Sequence, residues 1–285
     1  MSLSLAVDVG TQSVKAAVLD GDRLAPIATA PLEVSTPARH AVEQDPRGFT
    51  DALAAAVRDA LDVADVSGRD VRRLSLSSQL DGVVLHDAEG RAFGPVLIWM
   101  DRRAGREADE FARRADPDRV FARTGLNVDA THAAPKAMWL RAHRPDDDRA
   151  ASVVGSLASY FTAWLAGSPV HDHAQASSTL LADVRTGEWD DELAALAGVD
   201  PERLPAIRPA DDVAGTLRPA AAEALGLTTA CEALVGTGDD HASHLGGGGL
   251  APRTVVDVVG TAEPVGARAA VATLDPGRLL ETHRH

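Results

Sequence analysis

The chain has 285 residues, enough for one large domain or two ordinary ones, and its 45% hydrophobic and 25% charged residues are those of a globular protein rather than a disordered one. An excess of 42 acidic over 28 basic residues sets the net charge at −14, which excludes nucleic acid or an anionic membrane as the main partner, because both would be repelled. One cysteine, Cys231, excludes an internal disulfide framework; with no apolar run near the ~18–20 residues of a membrane span and no leader-like start, a cytoplasmic protein is expected.

In chain order, Leu3 to Val9 is mostly apolar, as a buried strand would be. Gly10-Thr11-Gln12-Ser13 interrupts it, Val14 to Leu19 resumes it, and Asp20-Gly21-Asp22 turns the chain into Leu24 to Ala30, giving an antiparallel meander. Asp45 suits a helix N-cap and Pro46 the first helical position, and Leu53, Val57 and Leu61 then recur on one helix face. Val71 to Ser77 reads as the next strand, entering a parallel region. Val83 to Leu85 and Pro95 to Trp99 read as a second hairpin about Glu89-Gly90. Helices are expected over Arg102–Arg114 and Asp148–Leu165, and Pro201 to Pro219 is a Pro-rich connection. Leu234-Val235 leads into Gly236-Thr237-Gly238-Asp239, a short helix, and the run Gly246 to Gly249, which stops that helix. Thr254 to Val259 is a late strand ending in Gly260-Thr261. Antiparallel strands followed by strand–helix alternation make the fold α/β, but not a simple Rossmann alternation.

The first turn carries the first candidate chemistry. A glycine lets the backbone turn and expose amides, Thr11 and Ser13 offer hydroxyls, and Lys15 a positive charge. This set could hold a terminal phosphate, with Asp8 on Mg²⁺. The same residues also suit an ordinary Asp-Gly hairpin. Neither a Walker A loop nor a dinucleotide fingerprint is present. Lys15 and Lys136 are the only lysines in the chain.

A second strand–Gly-Thr–strand feature, Val255 to Val265 about Gly260-Thr261, changes the weight of the first. The pair resembles the two hairpins with which the actin-like ATPase fold grips ATP phosphates from both sides. Four further segments extend the likeness: Glu43-Gln44-Asp45-Pro46; Ser78-Gln79-Leu80-Asp81-Gly82 with Trp99-Met100-Asp101; Ala134-Pro135-Lys136-Ala137-Met138-Trp139; and Gly236-Thr237-Gly238-Asp239-Asp240. With them the chain resembles the FGGY carbohydrate kinases, especially the xylulokinase-like branch. The resemblance implies an actin-like ATPase (ribonuclease H-like) α/β fold, with a mixed sheet whose antiparallel opening strands are flanked by helices. It also implies a sugar-binding domain over residues 1–252 and the start of a second, truncated actin-like domain over 253–285.

The activity so implied is transfer of the γ-phosphoryl group of ATP to a hydroxyl of a sugar or polyol, a pentulose such as xylulose above all. Asp239 becomes the general base. Asp8, Gly10, Thr11, Gln12, Ser13, Lys15, Gly260 and Thr261 become the ATP contacts, and Gln79, Leu80, Asp81, Trp99, Asp101 and Asp240 the acceptor contacts. Mg²⁺ falls to Asp8, with Asp239 as a second candidate. Trp99 fits equally well as a core residue. Xylulokinases usually carry Met-His where this chain has Leu80-Asp81, and glycerol kinases Arg-Glu, so no firm acceptor follows. Asp240 stands where relatives carry an amide, which keeps an acceptor but loses the donors. His241 and His244 lack a known zinc pattern and read as solvated or sugar-proximal; His171, His173, His283 and His285 read as loop or tail residues. Partners are then a small sugar or polyol and ATP, without nucleic acid or membrane, and with a homodimer left open. Two other readings compete. One is a non-catalytic sugar-binding or regulatory remnant of such a kinase. The other is an actin- or chaperone-like ATPase, which the sugar-site hairpin and the Lys136 signature disfavour.

Overall fold

The computed structural model describes residues 3–251, 253–260 and 263–285. Among the described residues eight strands form the main sheet. Its centre is Leu3–Val9, paired antiparallel to Ser13–Asp20 on one side and parallel to Val71–Ser78 on the other. Arg23–Leu24 and then Ala28–Pro31 fold back antiparallel on Ser13–Asp20, completing the expected meander in two short pieces. Beyond Val71–Ser78, Glu232–Leu234 and Thr237–Gly238 both join parallel, and Val213–Thr216 closes that edge antiparallel.

The first strand is buried on one face only. Leu5, Val7 and Val9 are in the core, while Ala6 between them is exposed. Strand periodicity explains the difference from a strand covered on both sides: one face takes the helices and the other keeps small or polar groups. The covered face meets the helix Pro46–Val63, whose start is fixed by the Asp45 carboxylate accepting from the Arg47 amide. Phe49, Leu53, Val57 and Leu61 line its buried stripe, as the spacing requires.

The segment expected as one helix over 148–165 is three elements: Pro145–Ala150 helical, Val153–Gly155 a strand, and Leu157–Ala166 helical again. Val153 and Val154 favour strand geometry and pair with Val84–His86, and Ser156 then caps the second helix by accepting from Ala158. That helix is buried nearly all round. Its Phe161 meets Phe49 edge-on at 6.3 Å and its Tyr160 hydroxyl donates to the Pro46 carbonyl. Each such fully buried large side chain contributes ~1.5–3 kcal/mol. The expected hairpin about Glu89-Gly90 survives only as bridges such as Val83 to Leu97; its arms pair mainly elsewhere, Val96–Leu97 with Ala41–Gln44. The Pro-rich connection holds short elements of its own, among them the helix Pro219–Leu225.

A second apolar cluster joins Val83, Leu85 and Leu97 to the helices Gly105–Ala115, Pro117–Thr124, Ala133–His143 and Asp191–Ala197. This lobe stands beside the carboxyl edge of the parallel strands. After the helix Asp239–Gly246 the chain forms a small hairpin, Val255–Asp257 with Val265–Ala267, with Val255 and Val265 exposed on one face and Val256 and Gly266 against the end of that helix on the other. The last segment then returns to the lobe, where the Thr282 amide donates to the Gly125 carbonyl and the Arg284 amide to the Ser177 hydroxyl.

Candidate active site

Three parallel strands deliver their carboxyl ends to one place: Leu3–Val9 brings Asp8, Val71–Ser78 brings Ser77, and Thr237–Gly238 brings Asp239. Ligand sites in open α/β sheets form at such an edge. Asp8 accepts from the Ser77 hydroxyl at 3.1 Å and from the Lys15 ammonium at 3.2 Å. The turn Gly10-Thr11-Gln12-Ser13 is held from behind. Gln44 donates to the Thr11 carbonyl at 3.0 Å, and the Trp99 indole N–H donates to the Thr11 hydroxyl at 2.9 Å. Trp99 is therefore neither plain core nor free surface; it ties the first turn to the loop after Val96–Leu97.

Asp239 is the first residue of its helix, after Gly238 as cap. Its position depends on two glycines. Gly236 has φ 77, and a Cβ there would meet the Leu76 carbonyl oxygen at 2.1 Å. At Gly238 a Cβ would strike the Leu80 side chain at 2.5 Å, so Leu80 packs on the turn that carries Asp239. Thr237 adds a third tether, its hydroxyl donating to Asp172 at 2.6 Å. Burial, with Asp240 and Asp8 nearby, pushes the Asp239 carboxyl up to about 7. Asp240 is also raised, first by burial.

Asp81 has φ 57, a left-handed backbone that aspartate tolerates better than most residues. Lys136 holds it from behind. Its buried ammonium donates to the carbonyls of Asp81 at 2.7 Å and Ile98 at 2.8 Å, and to that of Thr131. Burial lowers this amine to about 8. The Asp81 carboxylate accepts from His132 Nδ1 at 3.2 Å. Burial alone would raise Asp81, but His132 and then Lys136 outweigh it and hold the carboxyl below its usual range.

Two expected acceptor contacts are buried. Asp101 is fully buried, and its carboxylate takes the amides of Val42 and Arg103 and the Arg103 guanidinium, so it supports the loop instead of facing the cleft. Gln79 is also buried; its amide nitrogen donates to Gln44, while its oxygen has no partner. Gly260 is exposed on the separate hairpin, and among the described residues no hydrogen bond joins that hairpin to the first turn; Thr261 lies outside the described residues. His171 is no loop residue. It sits in a buried strand, its ring lowered to about 3 by burial, and bonds the Ser156 hydroxyl at 3.0 Å. His173 opens a short helix. The readings of His283 and His285 as tail residues hold, yet both rings stand 5.6 Å from that of His241, at the rim of the site. His132 and Asp172 escaped the sequence reading; for His132 the available signal was its place one helical turn before Lys136.

A family model described as the N-terminal domain of the FGGY family of carbohydrate kinases matches residues 3–246. The chain belongs to this family. Among curated FGGY relatives, the glycerol kinase of Aromatoleum aromaticum is 32% identical over 270 residues, 92% of this chain and 53% of that protein. The xylulose kinase of Streptomyces rubiginosus is 32% identical over 283 residues, 96% of this chain and 56% of that one. Among solved FGGY structures, the xylulose kinase of Rhodospirillum rubrum superposes with a TM-score of 0.90 at 28% identity, over 96% of this chain and 56% of that one. The fold is therefore the actin-like, ribonuclease H-like one. The chain spans about half the length of the curated relatives it matches.

Proposed function

We propose that the chain is the acceptor-binding, base-bearing part of an ATP-dependent carbohydrate kinase that phosphorylates a hydroxyl of a sugar or polyol, with a pentulose such as xylulose as first candidate. The observation that carries this reading is Asp239. It is a carboxylate at a helix start, on the carboxyl edge of the sheet, tuned to about 7 and facing Asp8 and the first turn. A base with that affinity is half ionised at neutral pH, where it can take the proton of an attacking hydroxyl. The Gly10 amide is taken by the Ser13 carbonyl, which closes the turn; the Thr11 and Gln12 amides and the Thr11 and Ser13 hydroxyls, with Lys15, are suited to terminal phosphates, and Asp240 and Asp81 accept from acceptor hydroxyls.

Mg²⁺ fits the donor set. Among the described residues no group of three or more metal-binding side chains occurs, and the Asp8–Asp239 repulsion is what a cation arriving with phosphates would relieve. When bound with ATP it would neutralise charge on the transferring phosphoryl group. Asp8 would be its main ligand, with Asp239 as a second candidate. In this reading residues 1–252 are the acceptor-binding domain and 253–285 the start of a second one; the family match ending at residue 246 supports that division, while the last segment packs back on the lobe through Arg278, Thr282 and Arg284.

The test is ADP release with ATP and a panel of pentuloses, polyols and aldoses, using the natural polypeptide. Turnover with at least one acceptor, lost in Asp239→Ala, is expected. Binding of an acceptor without ADP release would favour the sugar-binding remnant, and turnover retained in Asp239→Ala would remove Asp239 as the base.

A further inference from the structure

We infer that His132 is a positioning residue that sets acceptor specificity: it fixes Asp81 so that one carboxylate oxygen is presented to the hydroxyls of a neutral sugar or polyol, and acceptors carrying a carboxylate are turned away. The inference rests on the acceptor site proposed above. His132 is buried, and its Nδ1 lies 2.9 Å from the Ser178 carbonyl and 3.2 Å from Asp81 Oδ1. A carbonyl only accepts, so Nδ1 carries a proton and shares it between the two oxygens. Asp81 Oδ1 is thereby committed. Oδ2 has no protein donor among the described residues, and the side chain keeps 24% of its surface open. Lys136 locks the backbone beneath through the Asp81 carbonyl and holds the Thr131 carbonyl, next to His132, with the same ammonium.

The charges around Asp81 define the ligand class. Lys136 and His132 face it from the helix Ala133–His143 and its cap, Asp240 and His241 from the helix Asp239–Gly246, and His283 from the last segment, with Glu281 near His132 Nε2. Lys136 has its three protons on carbonyls, so the groups left for a ligand are mainly carboxylates: Asp81, Asp240 and Asp239. Hydroxyls match these acceptors, and a ligand carboxylate would meet like charge.

The test measures acceptor binding to this chain by titration calorimetry, with a pentulose, a pentitol and the matching pentonate, from pH 3 to 8. Wild type should bind the neutral pair at least about tenfold tighter than the pentonate. His132→Ala should weaken neutral binding by about tenfold and shrink that preference. His132→Asn, which keeps a donor but no cation, should restore affinity at pH 8 and lose it at a higher pH than wild type, because Asp81 then protonates more easily; a purely structural role would not move that midpoint. Asp240 and Asp239 titrate in every variant, so the difference from wild type is what is read. If His132→Ala does not fold, Asp81→Asn carries the test, and the part of the acid-side loss that Asp81 contributes should vanish, leaving that of Asp240 and Asp239. Equal affinity for the pentonate, or unchanged preference and pH profile in the His132 variants, overturns the inference alone. No acceptor bound by wild type overturns it together with the acceptor-site reading.

Discussion

Asp239 and Lys136 show how single residues here are tuned by burial in opposite directions. The raised Asp239 carboxyl has a signed consequence. Its folded value exceeds the unfolded one, so its proton is bound more tightly in the native state and stability falls as pH rises from the ordinary carboxylate range to about 7. Asp239→Asn should therefore melt higher than wild type at pH 8 and nearly equal to it at pH 4. The same variant should lower kcat about 10²–10⁴-fold, and wild-type kcat/KM should climb with pH through about 7. A rate independent of pH between 6 and 8 would exclude Asp239 as the titrating base. Lys136 acts on stability differently. Lys136→Met removes the donor of three carbonyls, that of Ile98 buried and those of Asp81 and Thr131 partly so, and should cost about 3–5 kcal/mol in urea unfolding.

The elements differ in how far their own sequence specifies them. The helix after Asp45 was legible because cap, proline and apolar stripe lie within it; Asp45→Ala should cost ~1 kcal/mol and leave the fold intact, read by thermal melting. The strand Val153–Gly155 was not legible. It sits between helix-forming stretches, and its partner Val84–His86 lies far back in the chain. The turn before Asp239 lies between these cases: its glycines were visible, but the reason for them, the Leu76 backbone and the Leu80 side chain, was not. Gly236→Ala should displace that turn and reduce phosphoryl transfer at least as severely as it lowers stability, measured on the same preparation by ADP release and melting. The same distance argument holds for the site. Asp8, Lys15 and Asp239 belong to local motifs, whereas His132 meets a partner 51 residues away and Asp172 one 65 residues away, pairings that no local pattern announces.

At the scale of the molecule, the sheet with its helices and the lobe beside it are two packed bodies of apolar side chains, and the hairpin Val255–Asp257 with Val265–Ala267 belongs to neither. Its inner face rests only on the end of the helix Asp239–Gly246 and the turn after it, where Val256 lies against Gly247 and Gly249 and Gly266 against His244, and two short strands so thinly covered are marginal in water. Hydrogen exchange should then be slowest in Leu3–Val9, Val71–Ser78 and Pro46–Val63 and fastest in that hairpin; protection of the hairpin equal to the central strands would show that something covers it in solution. Lys136 also has a chemical consequence for the whole chain. Of its two lysines, this one is buried with every N–H engaged, while Lys15 is half exposed beside the first turn. Apart from the amino terminus, an amine-directed reagent therefore finds a single target on the native protein. Covalent tagging would put one reporter beside the first turn, and a second modified lysine would appear only as the molecule unfolds.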